Sequence, residues 1–354
     1  MAARAFRPPR AGPAWVAAGG SRVAARGRDL PRLAPLWYFA QLLNNLPHNR
    51  GFPASPRQLV LGAAVLFGTT GTARALGPDI SPLSVGAARI AVGAALLALF
   101  AAVLARRGAP ARRSRKSPRW SRTPVLLGGL GVAGYQLAFF AAVADTGVAV
   151  GTVVALGSAP VFAGLLSRLT GGARLNARWA ACTALATAGV GVLVASGGST
   201  AVSAPGVVLA LGAGIGYAAY TVAAKRLLDE GREPEAVMAR TFGTGALILL
   251  PVLPLTGFAA FGSLDATALA VYLGAIPTAL AYVLFARGLR ALPTAEVATL
   301  TLAEPVTAAA LGTIVLGEQL SPAAALGAAM VIGGLAALAL RRPRRAIVNT
   351  AVGA

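Results

Sequence analysis

The chain is short of charged residues, and of acids most of all. Charged residues make up 12% of its 354 positions, and Asp and Glu together number 11. Soluble domains usually carry roughly 25% charged residues. A soluble fold of this length needs a polar coat, and the polar residues here are too few and too clustered to form one. The composition therefore excludes an ordinary soluble domain.

Residues that build metal sites, disulfides and active sites are scarce as well. One cysteine, Cys182, and one histidine, His48, exclude an intrachain disulfide and a Cys/His metal cluster. The motifs GxxxxGK(S/T), HExxH and GxSxG are absent. The GxGxxG pattern from Gly129 to Gly134 lies inside an apolar run, without the preceding strand that a nucleotide site requires. We expect no metal, no cofactor and no enzymatic activity.

What the chain does contain is long apolar runs. Apolar residues make up 56% of it and form runs of about 20 residues, the length that crosses roughly 30 Å of hydrocarbon. Each run must be helical, because a lone strand in lipid leaves its backbone N–H and C=O groups unpaired. We predict an all-α polytopic membrane protein with ten transmembrane helices. Spans one to ten cover residues 59–77, 83–105, 123–143, 148–167, 179–196, 206–224, 236–256, 266–286, 293–316 and 322–340.

The basic residues indicate the orientation of these spans. With the N-terminus inside, 29 of the 32 Lys and Arg residues fall in cytoplasmic segments, and Arg74 alone falls in an outer loop. Cytoplasmic loops of membrane proteins carry such an excess of basic residues. We therefore expect a protein of the inner (plasma) membrane with both termini in the cytoplasm. The net charge of +21 is then a topology signal, and no nucleic-acid partner is expected.

An internal repeat relates the two halves at an offset of 145 residues. The matching segments align without a gap, and each carries a proline inside a span. Five spans per half is an odd number, so the second copy is inverted in the membrane, as in many secondary transporters. The pairs that agree include Pro160/Pro305, Val161/Val306, Leu166/Leu311, Gly172/Gly317, Leu175/Leu320 and Gly189/Gly334.

These features divide the chain into four parts. Residues 1–56, rich in Arg and Pro, are expected to form a disordered basic cytoplasmic tail. Residues 57–196 form the first repeat and residues 205–341 the second, and residues 342–354 form another cytoplasmic tail. The fold class is thus two inverted five-helix repeats.

One segment of the second half carries a family signature. Residues 302–306 (Leu-Ala-Glu-Pro-Val) and 316–320 (Leu-Gly-Glu-Gln-Leu) resemble the pattern that closes the ninth helix of EamA-type members of the drug/metabolite transporter superfamily. In the first half Ala173 stands where that family usually has glutamate, and Arg89 matches its arginine early in helix two. The resemblance implies ten helices, no ATP hydrolysis and transport of small metabolites.

Glu304 is the sharpest candidate for a functional residue. It lies near the middle of span nine, where an ionised side chain costs at least about 2.5–3.5 kcal/mol. A low dielectric favours the protonated form of a carboxyl group, which suits the exchange of a proton for substrate. Thr301 and Thr307 share roughly the same helix face. The alternative is a structural glutamate that hydrogen-bonds a neighbouring helix around Pro305.

Pro305 and Pro160 lie at equal depth in the two repeats. Each removes a backbone hydrogen bond and is expected to loosen its helix. Freed carbonyls at a repeat interface can line a substrate cavity, whereas plain helix packing is the alternative explanation.

Arg89 allows several interpretations. It either snorkels to the outer interface, holds a substrate carboxylate, or pairs with an acid such as Asp79 or Glu304. Arg240 lies closer to its helix end, where snorkelling is favoured.

Five further polar-tipped side chains lie in otherwise apolar spans. They either contact substrate or form hydrogen bonds between helices. They are Tyr135, Gln136, Tyr217, Tyr220 and Tyr282.

Together these observations predict a secondary active transporter. It exports a small metabolite, an amino acid or another amphipathic compound, by proton antiport with alternating access. The expected partners are the substrate, protons and the lipid bilayer, and the sequence leaves a homodimer open. A transport-inactive membrane receptor or assembly subunit with the same fold is the second hypothesis.

Overall fold

A computed structural model describes residues 54–107, 120–172, 175–196 and 203–340. Every regular element in these residues is helical, as the apolar composition predicts. Most of residues 1–56, and all of residues 342–354, lie outside the described part. The first five spans are Pro56–Leu76, Pro82–Arg107, Arg122–Thr146, Val150–Leu169 and Ala177–Ala195. The second five are Ala204–Asp229, Pro234–Leu249, Leu264–Ala291, Thr294–Leu316 and Pro322–Ala339.

Nine helices of the described part are long and apolar enough to cross a membrane, against ten predicted spans. The difference is span seven, whose main helix has 16 residues. A short helix, Val252–Leu255, follows it and brings the helical path to the predicted end. Pro251 and Pro254 explain the division, because each lacks the N–H that would continue a single helix. The architecture is compatible with the predicted ten helices.

Polar side chains fix where several spans begin. Ser55, Asn176, Ser203 and Ser321 each accept a hydrogen bond from a backbone N–H in the first turn of the following helix. Such caps satisfy N–H groups that have no partner within the helix. The cap at Ser55 is reciprocal, because its own N–H donates to the Gln58 side chain at 2.6 Å.

Spans three and four form a tight hairpin. All residues from Arg122 to Leu169 form helical turns, yet a Cβ added to Gly151 would lie 3.1 Å from a side-chain carbon of Val143. Residues eight positions apart in a straight helix are about 12 Å apart. The chain therefore reverses between Thr146 and Val150.

Packing between spans follows the repeat. Span one packs on spans eight and nine, and span six packs on spans three and four. Span two packs on span seven, and span five packs on span ten. Replacing each span by its counterpart in the other repeat, five positions earlier or later, gives the same set of contacts. The two repeats therefore pack around a pseudo-twofold axis, as expected for inverted copies.

Candidate functional site

The central irregularity of the bundle is a break in span nine. One helix covers Thr294–Leu300 and a second covers Ala303–Leu316. At the break the Glu304 N–H donates to the Thr301 carbonyl at 3.0 Å, and the Leu302 N–H donates to the Thr299 carbonyl at 3.0 Å. These tight turns occur where Pro305, which has no N–H, cannot bond the Thr301 carbonyl.

Glu304 therefore occupies the first turn of the second helix, where the positive end of the helix dipole favours a carboxylate. Its side chain is half-buried. Within the described ranges Glu304 forms no ion pair of 4 Å or less. Its carboxylate oxygens are not among the buried side-chain atoms that lack a hydrogen-bond partner. The carboxylate is thus only partly enclosed. Gly68 of span one allows the close approach here, because a Cβ at that position would lie 2.8 Å from the Glu304 carbonyl oxygen.

Tyrosines from spans three, six and eight gather around the break. The Tyr217 hydroxyl and the Thr301 Oγ1 lie 2.9 Å apart, and the Tyr220 and Tyr282 hydroxyls lie 3.1 Å apart. The Tyr135 ring meets the Tyr217 ring edge-on at 6.2 Å. Three of these predicted tyrosines thus form hydrogen bonds between helices, and all four lie beside the break.

A distortion in span eight positions Tyr282. Residues Ala275–Leu280 form a π-helical segment that contains Pro277. In a regular helix the residue at 277 would donate to the Leu273 carbonyl, but proline cannot. The Thr278 Oγ1 donates to that carbonyl instead, at 2.8 Å. Such π-helical turns often occur at functional sites, although the sequence analysis did not identify this one.

A small cavity lies beside the tyrosines. Its volume of about 10 Å³ is close to the lower limit for one ordered water. A larger ligand requires the surrounding helices to move. The lining residues are Arg89, Ile90, Val132, Tyr135, Gln136, Tyr220, Phe242 and Tyr282.

Arg89 and Gln136 are the polar side chains without an aromatic ring in this lining. Gln136 is buried and its amide nitrogen packs so closely on Gly86 that a Cβ there would lie 2.5 Å away. Arg89 is half-buried, and its Nε has no hydrogen-bond partner among the described residues. It interacts electrostatically with Glu304, whereas Asp79 interacts with Arg74.

Pro160 is placed differently from Pro305. The helix of span four continues through Pro160 without interruption, so the loosening expected at both prolines appears as a break only in span nine. The counterpart of Glu304 at the repeat offset is Ala159, which is buried. The site is therefore asymmetric, with its carboxylate in the second repeat.

Aromatic residues that the sequence analysis did not identify complete the site. The Phe242 ring lies 4.2 Å from the Tyr282 ring, and the Phe67 ring lies 4.9 Å from it. Phenylalanine in an apolar span carries no sequence signal that separates a site wall from lipid-facing surface, so only tertiary contacts identify these two.

One end of the bundle is tied together by ion pairs. We call it the Arg57 end, because Arg57 at the start of span one contacts Glu296 at the start of span nine at 2.7 Å. Arg57 also donates to the Ala339 carbonyl at 3.3 Å. Arg287 and Glu235 pair at 2.6 Å between spans eight and seven. All four ion pairs found among the described residues lie at this end.

The first helix of span nine is enclosed at the same end. All seven of its residues, Thr294–Leu300, are buried. The Trp179 indole N–H lies 3.1 Å from the Thr299 Oγ1, and the Thr183 hydroxyl lies 2.8 Å from the same oxygen. This helix is therefore packed inside the bundle at the Arg57 end.

Arg240 lies near the Arg57 end, outside the cavity lining. Its guanidinium carbon lies 4.3 Å above the Trp120 ring, and that of Arg232 lies 4.7 Å from the same ring. A cation over an aromatic face at this distance is stabilised electrostatically. This location agrees with the expectation that Arg240 reaches its helix end.

Comparison with known proteins identifies the family of this chain. The EamA-like transporter family matches residues 57–195 and 204–340. The chain is 38% identical over 277 residues to YwfM of Bacillus subtilis, described as an uncharacterized transporter, with 78% of this chain and 90% of YwfM covered. It is 34% identical over 180 residues to a probable terminal-alkyne amino-acid exporter of Streptantibioticus cattleyicolor, with 50% of this chain and 59% of the exporter covered.

A solved crystal structure is similar in fold. The match covers 80% of this chain and 98% of the chain in the crystal structure, with a TM-score of 0.69 and 23% sequence identity. The matches to both halves of the chain and to most of YwfM show that this multi-pass membrane protein belongs to the EamA-like transporter family.

Proposed function

We propose that the protein exports a small metabolite, an amino acid or another amphipathic compound, in exchange for protons. The observation that carries this proposal is Glu304, a half-buried carboxylate at the break of a membrane-spanning helix. It has no ion-pair partner within 4 Å among the described residues. A lone charge there is costly. A proton removes that cost, and so does a bound cationic group of the substrate, so the two compete for the same carboxylate.

The name of one relative supports an amino-acid substrate. The probable terminal-alkyne amino-acid exporter aligns with half of this chain, and an amino acid carries the ammonium group that would compete with a proton at Glu304. The aromatic rings of Tyr135, Tyr282 and Phe242 suit the apolar part of such a molecule.

The arrangement of span nine supports the proposal of alternating access. In this conformation the helix Thr294–Leu300 is buried, which is the arrangement expected of a closed end. Opening that end requires the Arg57–Glu296 contact to separate while the second helix of span nine stays against span one. The break at Thr301 and Leu302 is the hinge for this motion, because its backbone already departs from regular helix.

The distribution of basic residues supports a location in the inner (plasma) membrane with both termini cytoplasmic. The Arg57 end is then the cytoplasmic end, and proton entry from outside drives export.

Reconstitution into liposomes tests proton coupling. An imposed pH gradient is expected to drive uptake or release of amino acids from a panel by the wild-type protein. Glu304→Gln is expected to abolish the dependence on the gradient while substrate counterflow persists. Asp265→Asn is the matched control, because Asp265 is exposed at the start of span eight. Gradient-driven flux that survives Glu304→Gln would show that Glu304 is not the coupling residue.

A further inference from the structure

Arg89 lies within a membrane-spanning helix, and no described carboxylate forms an ion pair of 4 Å or less with it. It lies in the second turn of span two and lines the cavity. Its Nε is buried without a hydrogen-bond partner in the described part of the chain. An arginine stays charged at any physiological pH, and an unpaired buried donor is costly. The side chain therefore requires an anion or another acceptor.

The acids of the described residues do not meet this requirement. Asp79 interacts with Arg74. Glu304 acts on Arg89 only through space, because no ion pair of 4 Å or less joins them in the described part. Snorkelling does not meet it either, because the Nε is buried without a partner in the described part of the chain. No acid of the described residues therefore supplies this partner at ion-pair distance, which leaves a bound ligand as the candidate.

The cavity limits what this partner is. Arg89 is its one basic side chain, and Tyr135, Tyr220, Tyr282 and Phe242 supply aromatic walls. A guanidinium matches a carboxylate through two parallel N–H···O bonds. One guanidinium balances the single charge of a carboxylate, whereas a phosphate dianion calls for a second cation. The aromatic walls accommodate an apolar group.

We propose that Arg89 anchors the carboxylate of the transported compound, so that substrates are small carboxylates with an apolar side group on the tyrosine wall. This assignment rests on the proposed transport function and adds the chemical group that the cavity selects. It also makes Arg89 the specificity-determining residue, since an amide or ester of the same compound leaves the guanidinium without its anion.

Binding to the purified full-length protein in detergent tests the assignment, with the rise in melting temperature as the readout. The probes are matched sets: leucine with leucinamide and leucine methyl ester, phenylalanine with its amide and methyl ester, and hexanoate with hexanamide. Tetraphenylphosphonium represents apolar cations. At least one carboxylate is expected to bind, and its amide and ester about 10–100-fold more weakly, the usual value of a hydrogen bond to a charged group.

Variants locate the effect. Arg89→Gln is expected to lose the preference for the carboxylate, and Arg89→Lys, which keeps the charge without the planar fork, to retain part of it. Arg240→Gln is the control, because Arg240 lies on Trp120 outside the cavity, and it is expected to bind like the wild type. If Arg89→Gln does not fold, Arg89→Lys against Arg240→Gln makes the same comparison.

Three results overturn the proposal: equal binding of an amide and its carboxylate, unchanged carboxylate binding by Arg89→Gln, or no binding by any carboxylate of the panel. The proposed function fails separately. If carboxylates bind through Arg89 but a pH gradient drives no flux, the proton-antiport proposal is wrong and the Arg89 proposal stands. If instead a pH gradient drives flux of tetraphenylphosphonium and Arg89→Gln leaves that flux unchanged, proton antiport stands and the carboxylate site at Arg89 fails.

Discussion

Gly189 of span five and Gly327 of span ten pack backbone against backbone. A Cβ added to either one would lie 2.7 Å from the carbonyl oxygen of the other. The repeat converts this contact into a second one, between Gly334 and Cys182, where a Cβ on Gly334 would lie 2.8 Å from the Cys182 carbonyl oxygen. Close helix approach through small residues is a common way to hold membrane helices together. Spans five and ten therefore join the two repeats through one symmetric pair of contacts.

Replacing Gly327 with alanine is expected to destabilise the protein by about 1–3 kcal/mol, the usual cost of overpacking, because the surrounding atoms are backbone and cannot move aside. Gly333→Ala is the control on the same helix, since nothing lies within 4 Å of a Cβ there. Thermal unfolding in detergent measures both variants. A Gly327→Ala protein as stable as Gly333→Ala would contradict this view of the interface.

Separating Arg57 from Glu296 is expected to open the Arg57 end. The Glu296 side chain is 9% exposed and that of Arg57 27%, so loss of the carboxylate costs about 1–2 kcal/mol, less than for a fully buried pair. Glu296→Gln should therefore raise the labelling rate of a cysteine at buried Ala298 about tenfold in a Cys182→Ser background. Thiol labelling in detergent measures the rate.

The charge-swapped protein Arg57→Glu/Glu296→Arg is expected to return that rate towards the wild-type value. Glu318→Gln, at the opposite end of span nine, should not change it. Equal labelling of Ala298→Cys in all backgrounds would show that the ion pair does not hold this end closed.

Pro305→Ala is expected to slow transport without weakening substrate binding. Alanine supplies the N–H that can bond the Thr301 carbonyl, which now accepts from Glu304, and this favours a straighter and stiffer span nine. Pro160→Ala is the matched control, because the helix at Pro160 is already uninterrupted. Flux into liposomes should show a several-fold fall in maximal rate with an unchanged KM for Pro305→Ala alone. Equal effects of the two substitutions would remove the hinge role of the break.

The topology prediction can be checked with single cysteines in a Cys182→Ser background. A cysteine at exposed Gly262, between spans seven and eight, is expected to react with a membrane-impermeant maleimide in intact cells. A cysteine at position 352 should react only after the cells are opened, because the positive-inside bias places the C-terminal tail in the cytoplasm. Labelling of position 352 in intact cells would reverse the proposed direction of proton-driven export.

Most of the helical architecture could be predicted because its causes are local. Whether a run of 20 residues crosses the bilayer depends on its own hydrophobicity and length, and the repeat follows from matching residues along the chain. Span seven shows the limit of this reasoning. Its apolar run has the expected length, but Pro251 and Pro254 divide the helix. The mean hydropathy of a run does not depend on whether its helix is continuous, so it does not predict this division.

The functional residues show the same limit more sharply. Pro160 and Pro305 occupy equivalent positions, yet only the helix at Pro305 is broken, where Gly68 admits span one and Tyr217 bonds Thr301. Arg74 and Arg89 are both arginines near the same end of the bundle, yet Arg74 has Asp79 while Arg89 lines the cavity.

The sequence by itself determined that this protein is a helical membrane bundle of two related halves, because lipid accepts only backbones that satisfy their own hydrogen bonds and the apolar runs have the necessary length. Only the tertiary structure decided which polar side chains meet at the cavity and which satisfy one another. Pairing of this kind depends on contacts between spans far apart in the chain, such as Tyr220 with Tyr282 and Arg57 with Glu296. The spacing of residues within one helix does not predict such contacts.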